Sequence, residues 1–242
     1  MKQVIMKVVN TEKIAASVYK TTFTGDTSAI TNAGQFVNVK IEGLYLRRPI
    51  SVCDLSGDTL TLVYKVVGKG TEILSRSKSG DKFDMLTGLG NGYDISAAGG
   101  KPLAIGGGVG VPPLYYLAKR LIEKGKPVSV ALGFNTEKDV FFVDEFKSLG
   151  CKVKVATVDG SSGVKGFVTN VLPEEYSYFY ACGPEPMLKA TYNATKTDGE
   201  FSFEERMGCG FGACMGCSCK TTVGAKRICK DGPVIKKGEI LW

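Results

Sequence analysis

Pro102-Leu-Ala-Ile-Gly-Gly-Gly-Val-Gly-Val-Pro-Pro-Leu114 is the stretch whose reading decides the fold. The apolar run Pro102 to Ile105 reads as a buried strand, the glycines turn the chain, and a helix is expected from about Pro112 to Lys124. Proline suits that helix start, because its missing N–H would have had no helical partner there. Backbone N–H groups at a glycine turn leading into a helix form an anion site suited to a pyrophosphate. Gly106, Gly107, Gly108 and Gly110 are therefore candidate nucleotide-binding residues. The motif stops short of G-x-G-x-x-G, since Val111 holds the last glycine position, so a plain strand–helix turn stays open as a reading.

Working outward, Val128-Ser-Val-Ala-Leu132, Val153-Lys-Val-Ala-Thr157 and Tyr178-Phe-Tyr-Ala181 are further short apolar runs. Strands alternating with helices predict a parallel, doubly wound α/β sheet. Before a glycine-dense joint, Gly88 to Gly100, the grammar differs. From Val4 to about Leu86 the chain shows alternating runs such as Ser17–Phe23, Gln35–Ile41 and Thr59–Val67, separated by turn residues such as Gly25-Asp26 and Ser56-Gly57-Asp58. That pattern predicts an antiparallel β-barrel. One short helix is expected after Gly70, with Thr71 as N-cap and Glu72 in its first turn.

Composition narrows the function. The 242 residues contain no histidine, which excludes Ser-His-Asp and Cys-His catalysis, histidine-ligated zinc or haem, and Rieske clusters. Thirty-one Lys and Arg against 24 Asp and Glu leave a net charge of +7, scattered along the chain. This suits solubility and anionic ligands, and no nucleic-acid partner is expected. The uncharged stretch Leu103 to Ala118 is interrupted by glycine and proline and falls short of the ~20 apolar residues that span a bilayer. Lys2, Lys7, Glu12 and Lys13 break up any targeting pattern. Eight cysteines without a secretory signal suggest a reducing compartment and a metal or redox role, so no membrane and a cytoplasmic location are expected.

Five of those cysteines crowd into Met207-Gly-Cys-Gly-Phe-Gly-Ala-Cys-Met-Gly-Cys-Ser-Cys219 and Arg227-Ile-Cys229. Cys209, Cys214, Cys217 and Cys229 spell C-x4-C-x2-C plus a distant cysteine, the plant-type spacing for a 2Fe–2S cluster. The interleaved glycines allow the unusual backbone angles and close N–H to sulfur approach that a cluster loop needs. Tetrahedral thiolate ligation of zinc is the competing reading, although zinc ribbons usually show two C-x2-C pairs. Cys219 is a spare, expected to face the core. Isolated Cys53, Cys151 and Cys182 read by default as small buried hydrophobes. Arg47-Arg48-Pro49-Ile50-Ser51, together with Gly68-Lys69-Gly70-Thr71, suggests a cationic side chain and a helix start converging on a second phosphate.

Arg48-Pro49-Ile50-Ser51, Gly70-Thr71, the Gly106–Gly110 turn with Pro112-Pro113-Leu114, and Cys182-Gly183-Pro184 follow the order found in ferredoxin–NADP reductase-like flavoproteins. With the cysteine segment and Arg227-Ile-Cys-Lys-Asp-Gly-Pro-Val234, the chain over essentially its whole length resembles the electron-transfer subunits of class 1B dihydroorotate dehydrogenases. The Cys217 to Cys229 interval is shorter than that family's pattern, which bears on the loop between them and not on the ligands.

The resemblance implies an FAD-binding β-barrel domain over 1–98, an NAD-binding α/β domain over 99–200 and a 2Fe–2S subdomain over 201–242. It implies that Arg48, Pro49, Ile50 and Ser51 hold FAD, with Val63, Tyr64 and Lys65 along the flavin and Gly70 and Thr71 at its phosphates. Gly106, Gly107, Gly108 and Gly110 would take the NAD pyrophosphate, with Cys182 and Gly183 beside the nicotinamide. The four cysteines would ligate the cluster. The implied partner is an FMN-containing dihydroorotate-oxidising catalytic subunit, in a heterotetramer of two plus two. The chain would pass that partner's electrons to NAD in pyrimidine biosynthesis. An NAD(P)H-dependent iron–sulfur flavoprotein reductase, or a transhydrogenase or hydrogenase subunit, is the alternative. Gly133-Phe-Asn-Thr-Glu-Lys138 has no arginine for a 2′-phosphate, which favours NAD over NADP. Trp242, the sole tryptophan, has three places open to it: over the flavin, as the resemblance allows, packed within the chain, or at a subunit interface.

Overall fold

A computed structural model describes residues 1–242. The first half forms strands β1 (Lys2–Ala15), β2 (Val18–Thr24), β3 (Phe36–Val39), β4 (Arg48–Ser56) and β5 (Thr59–Lys65), helix α1 (Lys69–Ser75) and strand β6 (Lys82–Leu89). The six strands close into a barrel in the order β1-β2-β5-β4-β3-β6, every pairing antiparallel. Alternation drives the closure: Phe23 and Leu60 point inward and lose all solvent contact, while their neighbours stay half exposed. Strand β3 departs from this rule. All four of its residues are buried, because the barrel covers one face and the C-terminal segment the other.

Thr71 does not cap α1. It stands at the third helical position, where its hydroxyl accepts from the N–H groups of Val67 and Gly68 and donates to the Gly68 carbonyl. The preceding glycine has an extended backbone and no side chain, so the helix's own threonine reaches back to satisfy the loop.

The second half runs β7 (Pro102–Gly107), α2 (Val111–Glu123), β8 (Ser129–Phe134), α3 (Val143–Ser148), β9 (Lys152–Thr157), β10 (Val164–Lys165), β11 (Tyr178–Cys182), α4 (Glu185–Ala194) and β12 (Gly199–Ser202). It then continues through a hairpin, β13 (Ser218–Thr221) and β14 (Gly224–Arg227), to β15 (Val234–Lys236). Its sheet has the order β10-β9-β8-β7-β11-β12-β15, parallel except for β15, which returns antiparallel along β12. The order reverses between β7 and β11, the topological switch point at which open α/β sheets bind ligands. Helix α2 carries one apolar face and packs on barrel strand β4, and Lys119 there bonds Asp54 at 2.7 Å. The opposite face of the sheet shares a core with the cysteine segment: Phe179 and Phe201 pack with Phe36, Cys217, Ile228 and Cys229.

Candidate functional site

Most motif residues of the barrel gather around one cleft of about 250 Å³, while Arg48 and Gly70 are not among the residues that line it. Strands β4 and β5 run side by side and bring Pro49, Ile50 and Ser51 against Val63, Tyr64 and Lys65, with Thr71 at one end. Tyr64 is a fixed wall, because its hydroxyl is hydrogen-bonded to Thr21 at 2.8 Å inside the barrel and burial pushes its pKa up to about 12. The two arginines separate. Arg47 bonds the Asp84 carboxylate at 2.9 Å and the Asp84 carbonyl at 3.1 Å, which ties it to β6 and holds that carboxyl below its ordinary range. Arg48 instead donates to the Leu46 carbonyl and lies against Gly70 of α1. One cation and one helix start therefore do meet.

The far wall of the cleft was not legible in the sequence. It consists of Phe203, Glu204, Glu205 and Met207, which leave the end of β12 and lead directly to Cys209. Desolvation by the cleft walls raises the Glu204 carboxyl, yet the residue as a whole keeps solvent access. Glu204 thus stands at the rim and not in the core. Trp242 does not enter the cleft. Its ring sits 5.8 Å from Phe203 and 5.9 Å from Tyr192, so it packs among the C-terminal aromatics behind the wall.

The glycine turn and the Cys-Gly-Pro motif form a second site at the β7/β11 switch point. Cys182 pairs with Gly106 in the sheet. Gly110 approaches so closely that a Cβ there would lie 2.3 Å from the Cys182 carbonyl oxygen and 2.5 Å from the Gly183 nitrogen. Gly108, at φ +50, has open space where its side chain would be. The turn therefore combines backbone contact on one side with room for a ligand on the other, as a pyrophosphate loop requires. Burial pushes the Cys182 thiol up to about 12 and nearby Glu204 adds to the effect, so this is a neutral thiol and not a thiolate nucleophile.

The cysteine segment supplies the third site. The thiols adjoin in two pairs, Cys209 with Cys214 and Cys217 with Cys229. Two thiolate pairs suit a two-iron cluster, whereas a structural zinc takes four ligands on a single ion. The loop also directs N–H groups at sulfur: Ala213 and Cys214 to Cys209 at 3.2 and 3.5 Å, and Cys229 to Cys217 at 3.4 Å. Burial alone would raise the Cys209 thiol, but these N–H groups, that of Phe211 and the Cys214 thiol outweigh it and hold the pKa at about 6. Arg227 clamps the segment, bonding Asp231 through two nitrogens and the Gly212 carbonyl at 2.9 Å. Cys219 lies outside both pairs, on β13, and burial raises its thiol. The donor set and its loop fit a 2Fe–2S cluster.

A larger, open hollow of about 540 Å³ lies at the opposite ends of β7 and β11, bordered by Lys101, Leu172, Tyr176 and Lys196. None of the motif residues reaches it, and Lys101 is paired with Glu175.

Two segments of the chain match known protein families. Residues 204–241 match the iron-sulfur cluster binding domain of dihydroorotate dehydrogenase B, and residues 104–193 match the oxidoreductase NAD-binding domain. A dihydroorotate dehydrogenase B (NAD(+)) electron transfer subunit from a Geobacillus species is 45% identical, with 100% of this chain and 99% of the relative covered. The corresponding subunit of Lysinibacillus sphaericus is 42% identical, with 99% of each covered. Among solved structures, an NADH-dependent reduced ferredoxin-NADP oxidoreductase described for flavin-based electron bifurcation superposes with a TM-score of 0.89. It is 32% identical, with 98% of this chain and 90% of that chain covered.

Proposed function

This chain belongs to the electron transfer subunits of dihydroorotate dehydrogenase B, and from that premise we propose that it carries electrons from a dihydroorotate-oxidising partner subunit through a 2Fe–2S cluster and FAD to NAD⁺, in pyrimidine biosynthesis. One observation carries the reading: Phe203, Glu204, Glu205 and Met207 line the candidate flavin cleft and lead straight into Cys209, so the candidate flavin and cluster sites share a wall. When bound, FAD exchanges hydride with NAD, and a 2Fe–2S cluster passes single electrons.

The residues divide the work. In the segment 1–98, Arg48 would neutralise FAD phosphate beside Gly70 and Thr71. Pro49, Ile50, Ser51, Val63, Tyr64 and Lys65 would hold the ring system and keep water from it. In 99–200, Gly106, Gly107, Gly108 and Gly110 would take the pyrophosphate of NAD, with Cys182 and Gly183 at its nicotinamide end. In 201–242, Cys209 and Cys214 would hold one iron and Cys217 and Cys229 the other. The partner we infer contains FMN and joins this chain as a heterotetramer of two plus two. No helix is long and apolar enough to cross a membrane, and eight cysteines without a disulfide suit the cytoplasm.

A second reading, a subunit of another NAD(P)H-linked iron–sulfur flavoprotein, draws on the structural likeness to the bifurcating oxidoreductase. Affinity purification of the chain from its own cells separates the two. Copurification of an FMN-containing subunit that oxidises dihydroorotate, in a complex whose mass equals two plus two, supports the first. A stable complex without such a subunit contradicts it.

A further inference from the structure

Strand β3 touches both candidate prosthetic-group sites. Phe36 lines the flavin cleft and also packs in the core that holds Cys217 and Cys229. Two residues on, and so on the same face of the strand, Asn38 meets the cysteine loop. Its side-chain Nδ2 points at the Cys209 carbonyl oxygen from 3.5 Å, a long hydrogen bond. Asn38 is 1% exposed, yet its Oδ1 has no hydrogen-bond partner. The loop is shaped around this amide. Gly210 has φ +79, and a Cβ there would lie 2.3 Å from Asn38 Nδ2. On the barrel side, Asn38 pairs with Pro49, and its carbonyl accepts from Arg47 at 3.4 Å.

A strand buried on both faces would ordinarily carry Val or Ile at this position. A half-satisfied amide in such a place needs a reason, because low dielectric makes an unpaired polar atom costly. The same low dielectric strengthens the amide's field on neighbouring charge. Dipoles and hydrogen bonds around an iron–sulfur centre set its reduction potential, and a donor's positive end favours the reduced form.

We propose that Asn38 is a positioning residue which seats the first cysteine of the cluster loop against the flavin-binding barrel, and whose buried N–H dipole raises the reduction potential of the cluster. The proposal rests on the reading of Cys209 as a cluster ligand. Acting through the Cys209–Gly210 peptide, Asn38 also keeps the flavin strand pair and the cluster loop at a fixed separation.

The test is a redox titration followed by electron paramagnetic resonance on the full-length holoprotein, with iron, sulfide and FAD counted in every sample. The variants are Asn38→Leu, Asn38→Ala, Gly210→Ala and the last two combined. Leu keeps the branched outline of Asn and removes the dipole. In Asn38→Leu, iron, sulfide and FAD should stay at wild-type levels and the flavin should titrate unchanged. The cluster should be harder to reduce, with a several-fold lower ratio of reduced to oxidised cluster at the wild-type midpoint. Gly210→Ala should shift the cluster the same way by driving the loop off the amide, and most of that shift should vanish in the Asn38→Ala background. If Asn38→Leu does not fold, the Gly210→Ala shift compared with and without Asn38→Ala decides. A cluster that titrates as wild type in the deciding variant, or an equal Gly210→Ala shift with and without Asn38, overturns the proposal. A wild-type protein lacking cluster iron overturns the parent reading instead.

Discussion

The guanidinium of Arg48 fills the space that a side chain at residue 70 would need: a Cβ on Gly70 would lie 2.2 Å from Arg48 Nε. The pair explains why a glycine stands near the start of α1 and which of two adjacent arginines is available to a ligand. Arg47 is already committed to Asp84.

Arg48→Ala is therefore expected to weaken FAD retention roughly ten- to hundredfold, since losing a charge-assisted phosphate contact costs about 1.5–3 kcal/mol. Gly70→Val keeps the charge but evicts the guanidinium, and should act in the same direction. FAD per chain after dialysis measures both. Full occupancy in both variants would count against the assignment of this corner to FAD phosphate.

Gly110→Ala should separate the two nucleotides. Its Cβ meets the Cys182 carbonyl, so the glycine turn and the Cys182-Gly183 backbone must part. A rise in the KM for NADH of about tenfold or more, about 1.4 kcal/mol of binding, should leave FAD in place. A bulky side chain at Gly108 should act alike by filling the open side of the turn. Equal loss of FAD and NADH binding would contradict two separate sites.

Much of this was legible in the sequence, because the signals are local. A glycine turn between an apolar run and a proline-started helix, or C-x4-C-x2-C, needs no tertiary information. Other features needed the fold. Arg47 and Arg48 are adjacent and alike by residue type, and only Asp84 on β6 shows which one is tied up in an ion pair. Phe203 to Met207 carries no periodicity, and becomes a cleft wall because β12 points it there. Asn38 sits in an ordinary β pattern and gains meaning only once the cysteine loop closes on β3. Thr71 looks like an N-cap by residue type, yet the extended Gly68 shifts the helix start and leaves Thr71 to bond backward.

Cys209, Cys214, Cys217 and Cys229 should each be required for the cluster, because one missing thiolate leaves an iron under-coordinated. Iron and sulfide in the four Cys→Ala variants should drop sharply, while Cys219→Ala keeps wild-type content. A cluster lost in Cys219→Ala and retained in Cys217→Ala would reverse the ligand assignment.

Glu200 gives a prediction for stability against pH. It is 3% exposed, and burial raises its pKa from the ordinary 4.5 to about 7 even though it accepts the Asp94 N–H at 3.0 Å. Between those values the unfolded chain gives up this proton before the folded one does. The folded state therefore loses stability as pH rises through the window, by at most about 3 kcal/mol, and below the ordinary pKa the penalty is absent. Glu200→Gln keeps an oxygen for the Asp94 N–H and removes the titration. Its Tm relative to wild type should climb between pH 5 and pH 8. A constant difference would show that Glu200 does not titrate there.

The central claim is that this chain transports electrons and does not itself take them from dihydroorotate. Removing hydrogen from a substrate carbon needs a positioned base and an adjacent hydride acceptor. The chain has no histidine, and its motif residues are assigned to two nucleotides and a cluster. The most direct measurement assays two activities on the purified chain alone, and then with the FMN subunit added. NADH oxidation by an artificial acceptor should proceed in both, and dihydroorotate-dependent NAD⁺ reduction only in the second. Substantial dihydroorotate turnover by the chain alone would contradict the account.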